Sequence, residues 1–230
     1  MCLAMKRTPM LVGHRGDPLH ALENTLVSFE SAIRKGARGV EADVRRTADG
    51  VWVVFHDRSL RRITGMRGWI SKTRWSQIRH LPIPTVADVL SLCRKKAVTL
   101  HLDVKIAEGE KQLLAVLRSS GSLHRTVICA SVLASLKRWR KLLPQGQPLL
   151  WVTGYRMPIT PGRIALAKSL KLSGLLSYKR WINPRSVRRT HEAGMKLYLW
   201  TARTPKELAR FASFGVDGIM SELWPPPSIS

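Results

Sequence analysis

Between Val40 and Asp57 the chain reads VEADVRRTADGVWVVFHD, and four of its 15 acidic residues fall there although Lys and Arg number 39. Glu41 and Asp43 stand two apart on a strand-like run, so their side chains leave one face. Asp103 and Lys105 repeat that spacing in HLDVK. His14 closes one strand-like run with Arg15 behind it, and His56 closes another with Asp57 behind it. Clustered carboxylates are hard oxygen ligands that suit Mg²⁺ or Ca²⁺ better than a thiolate-seeking metal. Two imidazoles over one pocket can serve as base and acid near neutral pH. Arg15 and Lys105 can hold a tetrahedral anion, and the guanidinium fork matches phosphate. A metal, an acid–base pair and a cationic clamp together describe phosphoryl transfer. Taken singly, each group has a structural alternative, such as Asp103 pairing with Lys105 or the strand carboxylates with Arg45.

Something must bring these residues together, and the pattern of the chain supplies it. Short β-branched runs at 10–14, 39–45, 51–56, 98–105, 126–130, 148–152, 174–177, 197–201 and 216–221 alternate with stretches of helical period. The helical stretches fall at 22–35, 86–95, 110–119, 133–143, 161–170, 184–193 and 205–214. That alternation argues for βαβ units and a parallel sheet. Asn183-Pro184 and Thr204-Pro205 read as an N-cap followed by proline at the first helical position. Gly36, Gly121, Gly194 and Gly215 stand where helix C-terminal caps belong. With 51–56 counted as a continuation of the second strand, eight units remain. An eight-stranded (β/α) barrel is the expected fold, with a doubly wound sheet as the alternative. Chemistry in such barrels gathers at the carboxyl ends of the strands, where His14, Glu41, Asp43, His56, Asp103 and Lys105 all fall.

At 230 residues and 44% hydrophobic composition, the chain is expected to fold as one domain over 1–230. Only ELWPPPSIS follows the last strand, so the last helix is expected to be truncated. Cys2, Cys93 and Cys129 are odd in number and far apart, the pattern of a reduced compartment; with no signal peptide or spanning segment legible, a cytoplasmic location is expected. The formal charge of +24 and pI near 11.3 favour anionic ligands. The cations are dispersed and no nucleic-acid motif accompanies them. They read first as a solvated surface, with a phosphorylated substrate or an anionic membrane surface as candidate partners and nucleic acid as the weaker one.

The string GHRGDPLHALENTLVSFESAIRKGARGVEADVRRTADGVWVVFHD, followed by LRRITG, IPTVADVL, LDVK, LWT and GVDGIMSE, resembles the glycerophosphodiester phosphodiesterases across nearly the whole chain. The resemblance implies a (β/α)₈ TIM barrel that hydrolyses a glycerophosphodiester to sn-glycerol 3-phosphate and an alcohol. It implies His14 and His56 as the acid–base pair, Glu41, Asp43 and Asp103 as ligands of a divalent cation, and Arg15 and Lys105 as phosphate contacts. It further implies Trp200 as an aromatic pocket wall. Glu23, Asn24 and Thr25 are either supports of the first loop or helix-capping residues, and Asp57 is expected to orient His56. The sequence leaves open which histidine is base and which is acid, with His14 as base the working order. Lysolipid hydrolysis of the phospholipase D type, or a basic barrel that binds lipid or nucleic acid with hydrolysis weakened, are the alternative functions.

Three positions depart from the family pattern. Asp103 replaces the usual Glu and is shorter by roughly 1.5 Å of reach, which is expected to leave the ion an extra water or a shifted position. Ala202-Arg203 follows LWT where Asn is common, and Ser221-Glu222 replaces Thr-Asp. Residues 58–84 correspond to the region that caps the site in members of the family, and this short cap is expected to leave the mouth open, with Trp69 and Trp75 packed beneath it.

Overall fold

The computed structural model describes residues 8–226; Cys2, Lys6 and Arg7 lie outside them. In chain order the elements are β1 (Met10–His14), α1 (Leu26–Arg34), β2 (Gly39–Arg46), β3 (Trp52–Val54), α2 (Arg61–Thr64) and α3 (Trp75–Ile78). There follow α4 (Val86–Lys95), β4 (Thr99–Val104), α5 (Glu110–Ser119), β5 (Thr126–Ala130), α6 (Leu133–Leu142) and β6 (Leu149–Thr153). The last are α7 (Pro161–Ser169), β7 (Gly174–Tyr178), α8 (Pro184–Glu192), β8 (Lys196–Ala202), α9 (Pro205–Ser213) and β9 (Gly218–Ser221).

Every strand except β3 is parallel to its neighbours, and the pairing of β1 with both β9 and β2 closes the sheet into an eight-stranded barrel with helices between the strands. The doubly wound alternative is thereby excluded. β3 runs antiparallel to β2 beyond the barrel wall, joined to it by the Asp49-Gly50 turn. Gly50 takes φ +87° there, and Asp49 accepts from the Thr47 hydroxyl at 2.6 Å. Among the described residues no helix follows β9.

The period-two alternation of the strands separates two cores. Outward residues such as Val40, Ala42, Val44, Leu100, Leu102 and Val104 pack beneath the helices in one large cluster. Inward residues, among them Val12, Val127, Leu150, Leu176, Tyr198 and Met220, fill the barrel itself. Asn183 and Thr204 cap α8 and α9 as expected, accepting from the Ser186 and Glu207 amides with proline at the first helical position.

α1 begins at Leu26, four residues later than its periodicity suggests. Asn24 is held at φ +59°, outside the helical region, by bonds its side chain makes to Asp43. Residues 58–84 form the cap, packed on Val53 and Phe55 through Leu60, Ile70, Ile78 and Ile83. Trp75 packs against that cluster, but Trp69 is 51% exposed, contrary to the expectation that both lie beneath the cap. Ile70 takes the buried place beside it.

One interior residue carries a cost. His101 on β4 is fully buried against Tyr198, ring centroids 5.4 Å apart, with no hydrogen-bond partner for either ring nitrogen. Burial, with a smaller contribution from Lys196, pushes its pKa from the ordinary 6.5 down to about 4. The unfolded chain therefore takes up a proton below pH 6.5 that the fold refuses. The stability held above that pH drains as pH falls toward 4, by about 1.4 kcal/mol per pH unit. His101→Phe should flatten this dependence: between about pH 6.5 and 5 it should lose roughly 2 kcal/mol less than the parent in denaturant titrations.

Candidate active site

Register brings the carboxylates together. His14 on β1 lies opposite Glu41 on β2, and Asp43 lies opposite Asp103 on β4, all facing inward near the carboxyl ends of the strands. One oxygen from each of Glu41, Asp43 and Asp103 falls within 4.8 Å of the others, and all three residues are buried. The shorter Asp103 thus still joins the group. Burial, reinforced by Asp43 and Asp103, pushes the Glu41 carboxyl well above the usual range. Burial also raises Asp103, against the pull of Lys105. Asp43 goes the other way: burial is outweighed by Lys105 and Arg15, which hold it well below the usual range.

The partners explain that split. The Lys105 ammonium bonds Asp103 and reaches Asp43 Oδ1 at 2.9 Å. Arg15 Nε lies 3.0 Å from Asp43 Oδ2, and Asn24 Nδ2 donates to the same oxygen at 2.9 Å. Among the described residues Glu41 receives one donor, the backbone amide of Arg15, at 3.1 Å. Arg15 sits at φ +56° and Gly16 at φ +88°, a turn that presents this amide. A side chain at Gly16 would collide with the backbone of Ser28 at 2.5 Å, so glycine alone fits there. Of the three residues with alternative roles, Thr25 is the helix cap, Asn24 bonds Asp43 and Glu23 bonds Arg15.

Both histidines are anchored through Nδ1. His56 meets Asp57 Oδ1 at 2.7 Å, and Arg62 clamps Asp57 with Nε at 2.6 Å and Nη2 at 3.1 Å. The Arg62 bonds, against burial and aided by His56, hold Asp57 at about 2. Arg62 Nη2 also donates to Glu23 at 2.6 Å, and Glu23 accepts from Arg15 at 3.1 Å, so the cap is wired to the carboxylate cluster. His14 meets Glu222 Oε1 at 2.9 Å, and Arg203 donates to Glu222 at 2.6 and 3.1 Å. Burial disfavours the Glu222 anion, but His14 and Arg203 hold its pKa at about 2. An imidazole bonded in this way through Nδ1 keeps Nε2 for chemistry.

Sequence reading missed Arg62, Arg203 and Glu222. The last two appeared only as departures from a pattern; their opposite charges, 19 residues apart across a strand turn and helix, were the available signal. Trp200, expected as an aromatic pocket wall, lies with Tyr155 and Tyr178 at ring separations of 4.9 and 5.2 Å, three aromatics gathered at the β6, β7 and β8 ends. Cys93 and Cys129 are buried and free. No helix among the described residues is long and apolar enough to cross a membrane.

Comparison with known proteins gives this arrangement its relatives. A glycerophosphodiester phosphodiesterase of Caldanaerobacter subterraneus is 28% identical over 232 residues, covering 93% of each chain. Human glycerophosphodiester phosphodiesterase 1 is 33% identical over 109 residues, covering 41% of this chain and 33% of its own. In fold, a glycerophosphodiester phosphodiesterase from Thermotoga maritima superposes with a TM-score of 0.79 at 23% identity, covering 94% of this chain and 95% of that one. An Oleispira antarctica phosphodiesterase, solved with its product sn-glycerol 3-phosphate, does so with a TM-score of 0.84 at 24% identity, covering 95% and 94%. The glycerophosphoryl diester phosphodiesterase family matches residues 14–222, and the chain belongs to it.

Proposed function

We propose that this protein hydrolyses glycerophosphodiesters to sn-glycerol 3-phosphate and an alcohol, with a divalent cation, Mg²⁺ or Ca²⁺, held by Glu41, Asp43 and Asp103. The observation that carries the reading is the convergence of three buried carboxylates with two Nδ1-anchored histidines at one end of the barrel. Charge supports the cation. With all three carboxylates ionised, as metal ligation requires, Lys105 and Arg15 leave one negative charge, which would repel a phosphodiester monoanion. A divalent ion there would reverse the sign and supply Lewis acidity toward the phosphoryl group. The donor set, all oxygen and buried, fits such an ion.

The chain's own groups do the rest. Arg15 and Lys105 stand at the cluster and would share the phosphoryl charge with the ion. One histidine takes the proton of the nucleophile, water or the glycerol 2-hydroxyl, as its oxygen bonds phosphorus. As the bond to the leaving oxygen breaks, the other histidine, protonated, delivers its proton to the alkoxide; where the 2-hydroxyl has attacked, water then opens the cyclic phosphate, with the two histidines in exchanged roles, to give glycerol 3-phosphate. Asp57 and Glu222 fix each ring's tautomer and steady the imidazolium. Trp200 with Tyr155 and Tyr178 would wall the pocket toward the leaving alcohol.

His14→Ala and His56→Ala should each lower turnover of glycerophosphocholine by about 10²–10⁴ without loss of the fold by circular dichroism; near-parent turnover in both would overturn the assignment. EDTA should abolish activity, and Mg²⁺ or Ca²⁺ should restore it. Glu222→Gln removes the charge that Arg203 and His14 share. It should lower turnover by roughly 10–100-fold with little change in KM and should shift the pH–rate profile, whereas a merely structural Glu222 would leave that profile in place.

A further inference from the structure

The end of the barrel that carries the site has a surface unlike the rest of the molecule. Among the described residues, nearly all the large apolar side chains left exposed belong to loops that follow barrel strands, or to the first helical turn beyond them. Leu19, Leu22 and Val27 follow β1, with Leu19 at 62% and Val27 at 65% exposure; Trp69 stands on the cap; Val132 follows β5. Leu166, midway along α7, is the exception. Helical side chains lean toward the N-terminus, so Val27 leans toward that end of the barrel.

The same end is cationic. Residues 58–84 carry seven Arg and Lys and no Asp or Glu, and Arg58, Arg67, Lys72, Arg74 and Arg79 are all exposed. Lys72 lies over the exposed Trp69 ring at 5.9 Å, so the apolar and cationic groups interleave. Arg156, Arg180 and Arg203 add charge from the loops after β6, β7 and β8. Exposed acids there are few: Asp49 and Asp88 are bonded to backbone amides, which leaves Glu108.

Aliphatic groups this exposed cost free energy in water unless something apolar covers them. Their spread over separate loops around a barrel end fits a broad, deformable apolar layer rather than a groove for one peptide. Leucine and valine make up most of the exposed apolar groups and offer nucleobases no stacking platform, with Trp69 and Tyr155 the aromatic exceptions, which counts against nucleic acid. Cations beside apolar side chains match an interface of anionic headgroups over acyl chains.

We infer that the catalytic end of the barrel docks on anionic lipid surfaces, Leu19, Val27 and Trp69 entering the headgroup layer while the cap cations meet lipid phosphates. The docking goes beyond the hydrolytic reading and stands without it. It also gives part of the +24 charge a purpose, since a phosphodiester in solution needs only the cations inside the site.

Flotation of the full chain with phosphatidylcholine vesicles, with and without phosphatidylglycerol, tests it. Binding should require phosphatidylglycerol and weaken with salt. The triple variant Leu19→Ser, Val27→Ser, Trp69→Ser should bind roughly tenfold more weakly, with unchanged melting temperature and unchanged turnover of soluble glycerophosphocholine. Arg67→Glu with Arg79→Glu should lose at least about tenfold on the same vesicles. Equal binding to vesicles with and without phosphatidylglycerol would overturn the inference. So would undiminished binding by the triple variant, or duplex DNA bound more tightly than the vesicles by parent and triple variant alike.

Discussion

Three carboxylates buried within 4.8 Å of one another repel, and the surrounding structure is arranged around that repulsion. Lys105 sits between Asp43 and Asp103, Arg15 and Asn24 bind Asp43, and Glu41 is left with one backbone amide and a raised pKa. Burying such a group without full compensation is costly, so something must hold the strands in register against it. The closed ladder from β1 through β2 to β4 does so, fixing His14 beside Glu41 and Asp43 beside Asp103.

The cations that steady the cluster are themselves tied outward. Arg15 leads to Glu23, Glu23 to Arg62 on the cap, and Arg62 to Asp57 and His56. A change in the cap can therefore reach the site through charge rather than through packing. On the other side of the mouth, Arg203 and Glu222 hold His14 in the same manner. His14 at the end of β1 and His56 beyond β3 thus share one arrangement, an Nδ1 carboxylate clamped by an arginine.

Much of this was legible in the chain. Strand periodicity, proline-capped helices and glycine stops located the barrel, because those signals are local. The carboxylates and histidines were legible because period two assigns faces. What escaped depends on long-range pairing. The start of α1 was misplaced since Asn24 answers to Asp43, 19 residues away, rather than to helical propensity. Glu222 and Arg203 looked like two unrelated departures until β8 and β9 were side by side. Trp69 was expected inside because tryptophan usually is, but Ile70 beside it fills the core and turns Trp69 out.

On the proposed reading the buried cluster, with its carboxylates ionised, carries one net negative charge until a divalent cation enters it. Calorimetric titration of Mg²⁺ or Ca²⁺ into chelator-stripped protein, without substrate, measures this directly. The account expects one ion bound per chain with a raised melting temperature, and both effects lost in Asp43→Asn. Absence of binding by the parent, or equal binding by Asp43→Asn, would contradict it.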